Sequence, residues 1–259
     1  METRVLKFGG AAVETPAHFD AIAKIILEKY ALFPRLVVVI SAMGKTTDDL
    51  IDLAKQVHPQ PPQREYDMLV SAGERISMAL LAMALCKSNR VQAKSFTGSQ
   101  SGIITCTNHA NARIVDVRPA RILEALDQGC IAIVAGFQGM SLEKEVTTLG
   151  RGGSDTSAVA LAVAVKAQKV EFLKDVEGIC DLDPKTTPGL TPYSHLGYSE
   201  ALAIIKKGGG KVLHPRAVEL AARNGIALQV RSFKKDEEEA PGTWIFDQTD
   251  RQNSVPIYE

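Results

Sequence analysis

Four short stretches of this chain combine glycines, cations and hydroxyls in ways that suit an anionic ligand. The first is Lys7-Phe8-Gly9-Gly10. Glycines let backbone N–H groups come close to an anion, and the lysine beside them adds a point charge. A tight turn carrying a surface lysine would leave the same trace. The second, Ser41-Ala42-Met43-Gly44-Lys45-Thr46-Thr47, contains Gly-Lys-Thr. A phosphate-binding P-loop would need a glycine five positions before Gly44, and Val39 stands there. What remains is a hydroxyl-rich loop suited to a polar ligand.

The third stretch, residues 147–156, reads TTLGRGGSDT. Its three glycines open the backbone, the helix expected to start at Ser154 or Asp155 favours anions at its N-terminus, and Arg151 can grip a carboxylate with two parallel donors. Asp155 can orient a lysine or an ammonium ligand. A dinucleotide fingerprint is disfavoured, because Asp155 occupies the third glycine position and SLEKEVTTL upstream does not read as a first strand. The fourth comprises Lys174-Asp175-Val176-Glu177-Gly178, then Asp183-Pro184-Lys185, then Gly209-Gly210-Lys211-Val212-Leu213-His214-Pro215. Asp175 suits a ribose or adenine donor, and Lys211 suits terminal phosphates. Each piece alone is more often a turn than a site. Together they match phosphoryl transfer, which asks for donors, cations and alignment more than for covalent participation.

The elements that must carry these loops alternate between β-branched runs and helix-length segments, the pattern of an α/β sheet. Strands are expected at residues 4–8, 36–40 (LVVVI), 91–96, 130–135, 170–173 and 227–230. The LVVVI run is apolar throughout, as a central strand covered on both faces requires. Helices are expected from Pro16, over 48–57, over 119–127, from Ser154, and over 200–206 and 216–223. A long one over 64–85 would carry Met68, Leu69, Ala72, Ile76, Ala79 and Leu80 on its packed side. HPQPPQ at 58–63 is a break, KKDEEE at 234–239 reads as a solvated loop, and residues 108–117 have no clear pattern. No linker separates independent domains, and a change of texture near residue 150 suggests two lobes of one fold.

With 259 residues, 45% of them apolar, the chain has material for one sizeable core. Its formal net charge of zero gives no reason to expect nucleic acid or an anionic membrane as partner. The N-terminus lacks a signal-peptide pattern, and no run of about eighteen apolar residues occurs. Cys86, Cys106, Cys130 and Cys180 are scattered without metal-ligand spacing, which fits free thiols in a reducing cytoplasm.

Read in order, KFGGAAV, SAMGKTTD, SAGERIS, SFTGSQSGI, AGFQG, TTLGRGGSDTSA, DVEGI, KVLHP and PGTWI resemble the catalytic domain of aspartate kinases, within the amino-acid kinase family. The resemblance runs from Lys7 to about Ile245. It implies a three-layer αβα sandwich with a mostly parallel central sheet of about eight strands. The whole of 1–259 would be one such domain, with the amino acid in a lobe of about 1–150 and the nucleotide in a lobe of about 151–259. The implied reaction takes ATP, with Mg2+, and L-aspartate to 4-phospho-L-aspartate and ADP. Carried over by motif, Lys7, Asp155 and Lys211 would be catalytic. Ser41, Thr47, Glu74, Arg151, Ser154 and Asp155 would hold the substrate. Lys7, Gly9, Gly10, Lys174, Asp175, Lys185 and Lys211 would surround the nucleotide, and no metal ligand is assigned. Relatives commonly form homodimers and carry C-terminal ACT sensor domains, which are not expected within these residues. Departures from the family pattern are Ala11-Ala12 in place of Thr-Ser, Lys174 for threonine, Cys180 for tyrosine and Lys185 for arginine. They keep two other readings open, a kinase for another acid and a non-catalytic binding subunit.

Overall fold

The structure, a computed structural model, describes residues 2–87, 91–182, 186–187, 189–208, 212–247 and 256–259. β1 (Thr3–Phe8) leads through a 3-10 turn (Gly10–Val13) into α1 (Pro16–Leu32), then β2 (Arg35–Ile40), α2 (Thr46–Val57), α3 (Gln63–Val70), α4 (Ala72–Cys86) and β3 (Gln92–Phe96). β4 (Ile103–Thr105), β5 (Ile114–Val117), α5 (Ala120–Asp127), β6 (Cys130–Ala135), β7 (Gln138–Ser141) and β8 (Val146–Thr148) follow. The remainder is α6 (Gly153–Ala164), β9 (Lys169–Lys174), β10 (His195–Leu196), α7 (Tyr198–Lys207), α8 (Pro215–Asn224), β11 (Ala227–Ser232) and β12 (Thr243–Ile245).

Among the described residues an eight-stranded sheet runs in the order β10-β12-β11-β9-β1-β2-β6-β3. Its pairs are parallel except β11 with β12. Side-chain alternation along the strands divides the core in two. Val5, Val37, Val39, Ala132, Val134, Val170 and Phe172 face α5, α6 and α8. Leu6, Phe8, Leu36, Val38, Ile40, Ile131 and Ile133 face α1 and α4. This is the three-layer arrangement the sequence implied.

Three expectations are corrected. The helix over 64–85 is broken at Ser71, whose hydroxyl donates to the Met68 carbonyl while its own carbonyl accepts from Gln138 Nε2 at 2.9 Å; a side chain entering the helical ladder is a common cause of such a kink. Its packed face is also rotated from the expected one, with Leu69, Ala72, Ala79 and Leu80 half-buried at its margin. Asp67, Val70, Gly73, Glu74, Ser77, Met78, Leu81 and Leu85 are buried, whereas Met68, Ile76 and Met83 are 40%, 50% and 66% exposed. By length and composition α3 and α4 together could cross a membrane, yet they pack on β3, β6, β8 and α1. Second, residues 103–148 contribute a four-stranded sheet, β5-β4-β7-β8. Its three- and four-residue strands are too short to show a period. Third, residues 234–239 are the exposed loop expected except at Glu237, which turns inward to Lys29 at 2.5 Å and to Gln229 at 3.1 Å. Burial opposes that charge, but the Lys29 and Gln229 donors outweigh it and hold the carboxyl down at about 2.

Candidate active site

Strand parity and topology place the chemistry. From β1 the chain moves to β2 on one side and later returns to β9 on the other, so a crevice opens beyond the carboxyl ends of β1 and β9, where open α/β sheets take their ligands. Lys7 lies two residues after Val5 and Lys174 two after Phe172, so both project to the α6 face. The first turn of α6 presents Asp155 there. Lys7 Nζ is 2.6 Å from Asp155 Oδ1, and Lys174 Nζ lies 3.3 Å from both carboxylate oxygens.

Two ammonium groups thus share one carboxylate, leaving one positive charge in excess in a nearly dry place: Lys7 is 3% and Asp155 5% exposed. Burial pulls the Lys7 ammonium down to about 8, against the pull of Asp155, so it stays cationic at neutral pH with little reserve. Burial pushes the Asp155 carboxyl up, but Lys174 and Lys7 together outweigh it and hold it below the usual carboxylate range. An uncompensated buried cation at a helix N-terminus is an arrangement that an incoming anion would stabilise.

Lys174 at this centre was not foreseen, since it was expected on the nucleotide side alone. Only the pairing of β1 with β9 reveals it. The His214 N–H also reaches Asp155 Oδ2, at 3.3 Å, which ties the KVLHP motif to the same carboxylate. Gly152, the residue before α6, has φ +70°, and a Cβ there would lie 2.0 Å from His214 Cγ, so both backbone and space demand glycine. The helix begins at Gly153, ahead of the expected Ser154 or Asp155. Ser154 is therefore not its cap. Instead its hydroxyl lies 2.9 Å from Ser41 Oγ, joining the loop after β2 to α6.

The loop after β1 rests on the loop after β2. Gly44 N–H donates to Gly10 O at 3.2 Å, and a Cβ on Gly10 would lie 2.9 Å from Ala42 O. Gly9 covers Lys7 Nζ at 3.9 Å from its Cβ position. Ala12 is packed in the α1–α4 core, so a hydroxyl there would not face this crevice, and Ala11 is exposed. Glu74 is 4% exposed. Its Oε1 accepts from Ala42 N–H at 3.2 Å, whereas Oε2 is buried with no partner among the described residues. Burial lifts this carboxyl to about 7, against its backbone donors and the nearby Lys7 charge. A half-satisfied buried carboxylate is costly, and an ammonium group would relieve it. Thr47, half-buried, lies in the first turn of α2 beside this loop. Arg151 is exposed at the crest of the loop before α6, within electrostatic reach of Tyr66, and its guanidinium has no hydrogen-bond partner among the described residues.

Beyond Lys174 a cleft of about 330 Å³ continues away from the sheet, lined by Asp175, Ile179, Cys180, Ile204 and Val212. Apolar walls with a charged inner end suit a flat heterocycle carrying phosphates. Lys185 and Lys211, with Gly209 and Gly210, lie outside the described residues. Lys7 and Lys174 come from the carboxyl ends of β1 and β9, Gly9, Gly10, Ser41 and Asp175 from the segments that follow β1, β2 and β9, Glu74, Ser154 and Asp155 from the first turns of α4 and α6, and Arg151 from the loop before α6.

The family profile "Amino acid kinase family" matches residues 2–232. The aspartokinase of Mycolicibacterium smegmatis is 50% identical over 242 residues, 93% of this chain and 56% of that protein. The chain thus spans little more than half the length of the curated relatives it matches. The crystal structure of aspartate kinase from Synechocystis superimposes with a TM-score of 0.83 at 43% identity, over 97% of this chain and 41% of that one. E. coli aspartokinase III, in complex with aspartate and ADP, gives a TM-score of 0.84 at 26% identity, over 96% and 65%. A profile match over nearly nine-tenths of the sequence, with the eight-stranded sheet and the loops at its carboxyl edge, establishes that this chain belongs to the amino acid kinase family.

Proposed function

We propose that this chain is an aspartate kinase catalytic domain, transferring the γ-phosphoryl group of ATP to the side-chain carboxylate of L-aspartate. The observation that carries the reading is the buried Lys7–Asp155–Lys174 cluster with its excess positive charge, flanked by the half-satisfied Glu74 on one side and the nucleotide-sized cleft on the other. A side-chain carboxylate oxygen of aspartate attacks the γ-phosphorus. The bond from that phosphorus to the β–γ bridging oxygen breaks, and its electron pair leaves with ADP. No base is needed, because the acceptor carboxyl, with a reference pKa of about 4, is already ionised.

Catalysis then rests on alignment and on relief of repulsion between two anions. Lys7 and Lys211 neutralise charge developing on the transferred group, and Asp155 holds Lys7 and Lys174 in place. Arg151 takes the α-carboxylate, Glu74 takes the ammonium, and Ser41, Thr47 and Ser154 line the path between them. Gly9 and Gly10 admit the phosphates, while Asp175 and Lys185 complete the nucleotide side with Lys174. The lobe of about 1–150 serves the amino acid and that of about 151–259 the nucleotide. Magnesium would arrive on the phosphates and neutralise their charge, and no protein ligand is assigned to it.

The test is purified protein with Mg-ATP and a panel of acidic amino acids, trapped with hydroxylamine. Aspartyl hydroxamate is expected. Product from another acid alone would reassign the substrate, and no product from any acid would leave a binding subunit. We also propose a cytoplasmic homodimer, with the exposed Met68, Ile76 and Met83 side of α3 and α4 as the apolar face it buries; a monomeric mass by light scattering would remove it.

A further inference from the structure

Arg216, in the first turn of α8, spends all five guanidinium N–H donors within the protein. Nε and Nη2 form a bidentate pair with the Glu259 carboxylate at 2.5 and 2.6 Å. Nη1 donates to Leu149 O at 2.6 Å and, at 3.5 Å, to Asn111 Oδ1, and Nη2 also donates to Ala112 O at 3.0 Å. Glu259 is held in turn. Its backbone N–H donates to Ile114 O at 2.9 Å, and Ile114 N–H donates to its Oε2 at 3.1 Å. Its side chain is 10% exposed. The Leu149 carbonyl opens the segment that runs through Gly150 (φ +73°), Arg151 and Gly152 (φ +70°) into α6. Two residues before Arg216, His214 covers Gly152 and donates to Asp155.

The head of α8 therefore holds both ends of the Arg151 loop, one end through Arg216 and the other through His214. Two left-handed glycines give that loop wide freedom in isolation, and the Arg151 guanidinium has no hydrogen-bond partner among the described residues to steady it. A planar bidentate pair is well suited to fixing such a loop, because it sets direction as well as distance.

We infer that Arg216, oriented by Glu259, is a positioning residue that fixes the Leu149–Gly152 backbone and thereby the reach of Arg151 to the amino-acid carboxylate. The inference rests on the aspartate kinase reading for its kinetic consequence only. In the full chain, Glu259→Gln and Arg216→Lys should raise KM for L-aspartate about tenfold while changing KM for ATP less than about twofold. Without any ligand, amide exchange should quicken about tenfold at Leu149 and Gly153, whose N–H groups donate to Phe137 O and Gly150 O, and stay unchanged in β2. Equal rises in both KM values, or loop amides that exchange no faster than in the parent, would overturn the assignment. A parent protein inactive on aspartate would defeat the substrate reading instead, and the exchange rates alone would then decide the role of Arg216.

Discussion

Replacing Glu74 by glutamine should make the ligand-free protein more stable and the enzyme worse. In the unfolded chain this carboxyl titrates near 4.5, and in the fold at about 7. A raised folded-state value means that the fold is unpenalised below pH 4.5, loses stability as pH climbs from there to 7, and carries the whole cost above it. At about 1.4 kcal/mol per pH unit, that cost is about 3 kcal/mol at pH 8. Glutamine removes the charge and keeps an acceptor for Ala42 N–H, but it buries an amide donor where Oε2 had no partner, costing about 1 kcal/mol. The net gain of about 2 kcal/mol corresponds to a Tm about 4–8 °C higher for a chain of this size. At pH 5 the two contributions nearly cancel, so little or no gain is expected there. In parallel, kcat/KM for aspartate should fall about 100-fold through loss of a charge-assisted hydrogen bond to the ammonium. Thermal denaturation of parent and variant at pH 5 and pH 8, beside hydroxamate kinetics, tests both halves. A Tm difference that is the same at both pH values would refute the claim that Glu74 is a buried, half-partnered charge.

Lys7→Ala should lower kcat at least about 1000-fold, while circular dichroism shows the fold intact; Asp155 keeps Lys174 and the His214 N–H as partners, so no bare anion is left, and near-parent turnover would remove Lys7 from the mechanism. The pH profile of kcat/KM for aspartate should be a bell, rising as Glu74 ionises near 7 and falling as Lys7 loses its proton near 8; a flat profile from pH 6 to 9 would contradict both assignments. Gly152→Ala should cost more than about 2 kcal/mol, since it combines left-handed strain with a clash against His214; chemical denaturation with an unchanged midpoint would show that the loop yields freely.

Continuous apolar runs such as residues 36–40 and 130–135 announced central strands, because a strand covered on both faces has no polar positions to alternate with. Glycine strings at strand ends likewise marked the site loops, since close approach to an anion restricts the residue type locally. These are short-range consequences, and the sequence determined them by itself. What only the tertiary structure decided involves residues far apart in the chain. Lys174 meets Asp155 because β9 lies beside β1 and the two strands share a parity, a relation no local pattern carries. The buried side of α3 and α4 mixes Asp67 and Glu74 with Val70, Met78, Leu81 and Leu85, because those helices pack over a site as well as a core, so hydrophobic periodicity alone misplaced the packed face. The short strands β4, β7 and β8 take their structure from mutual pairing. Arg216 and Glu259, 43 positions apart, acquire a shared role only once the fold brings α8 to the Arg151 loop.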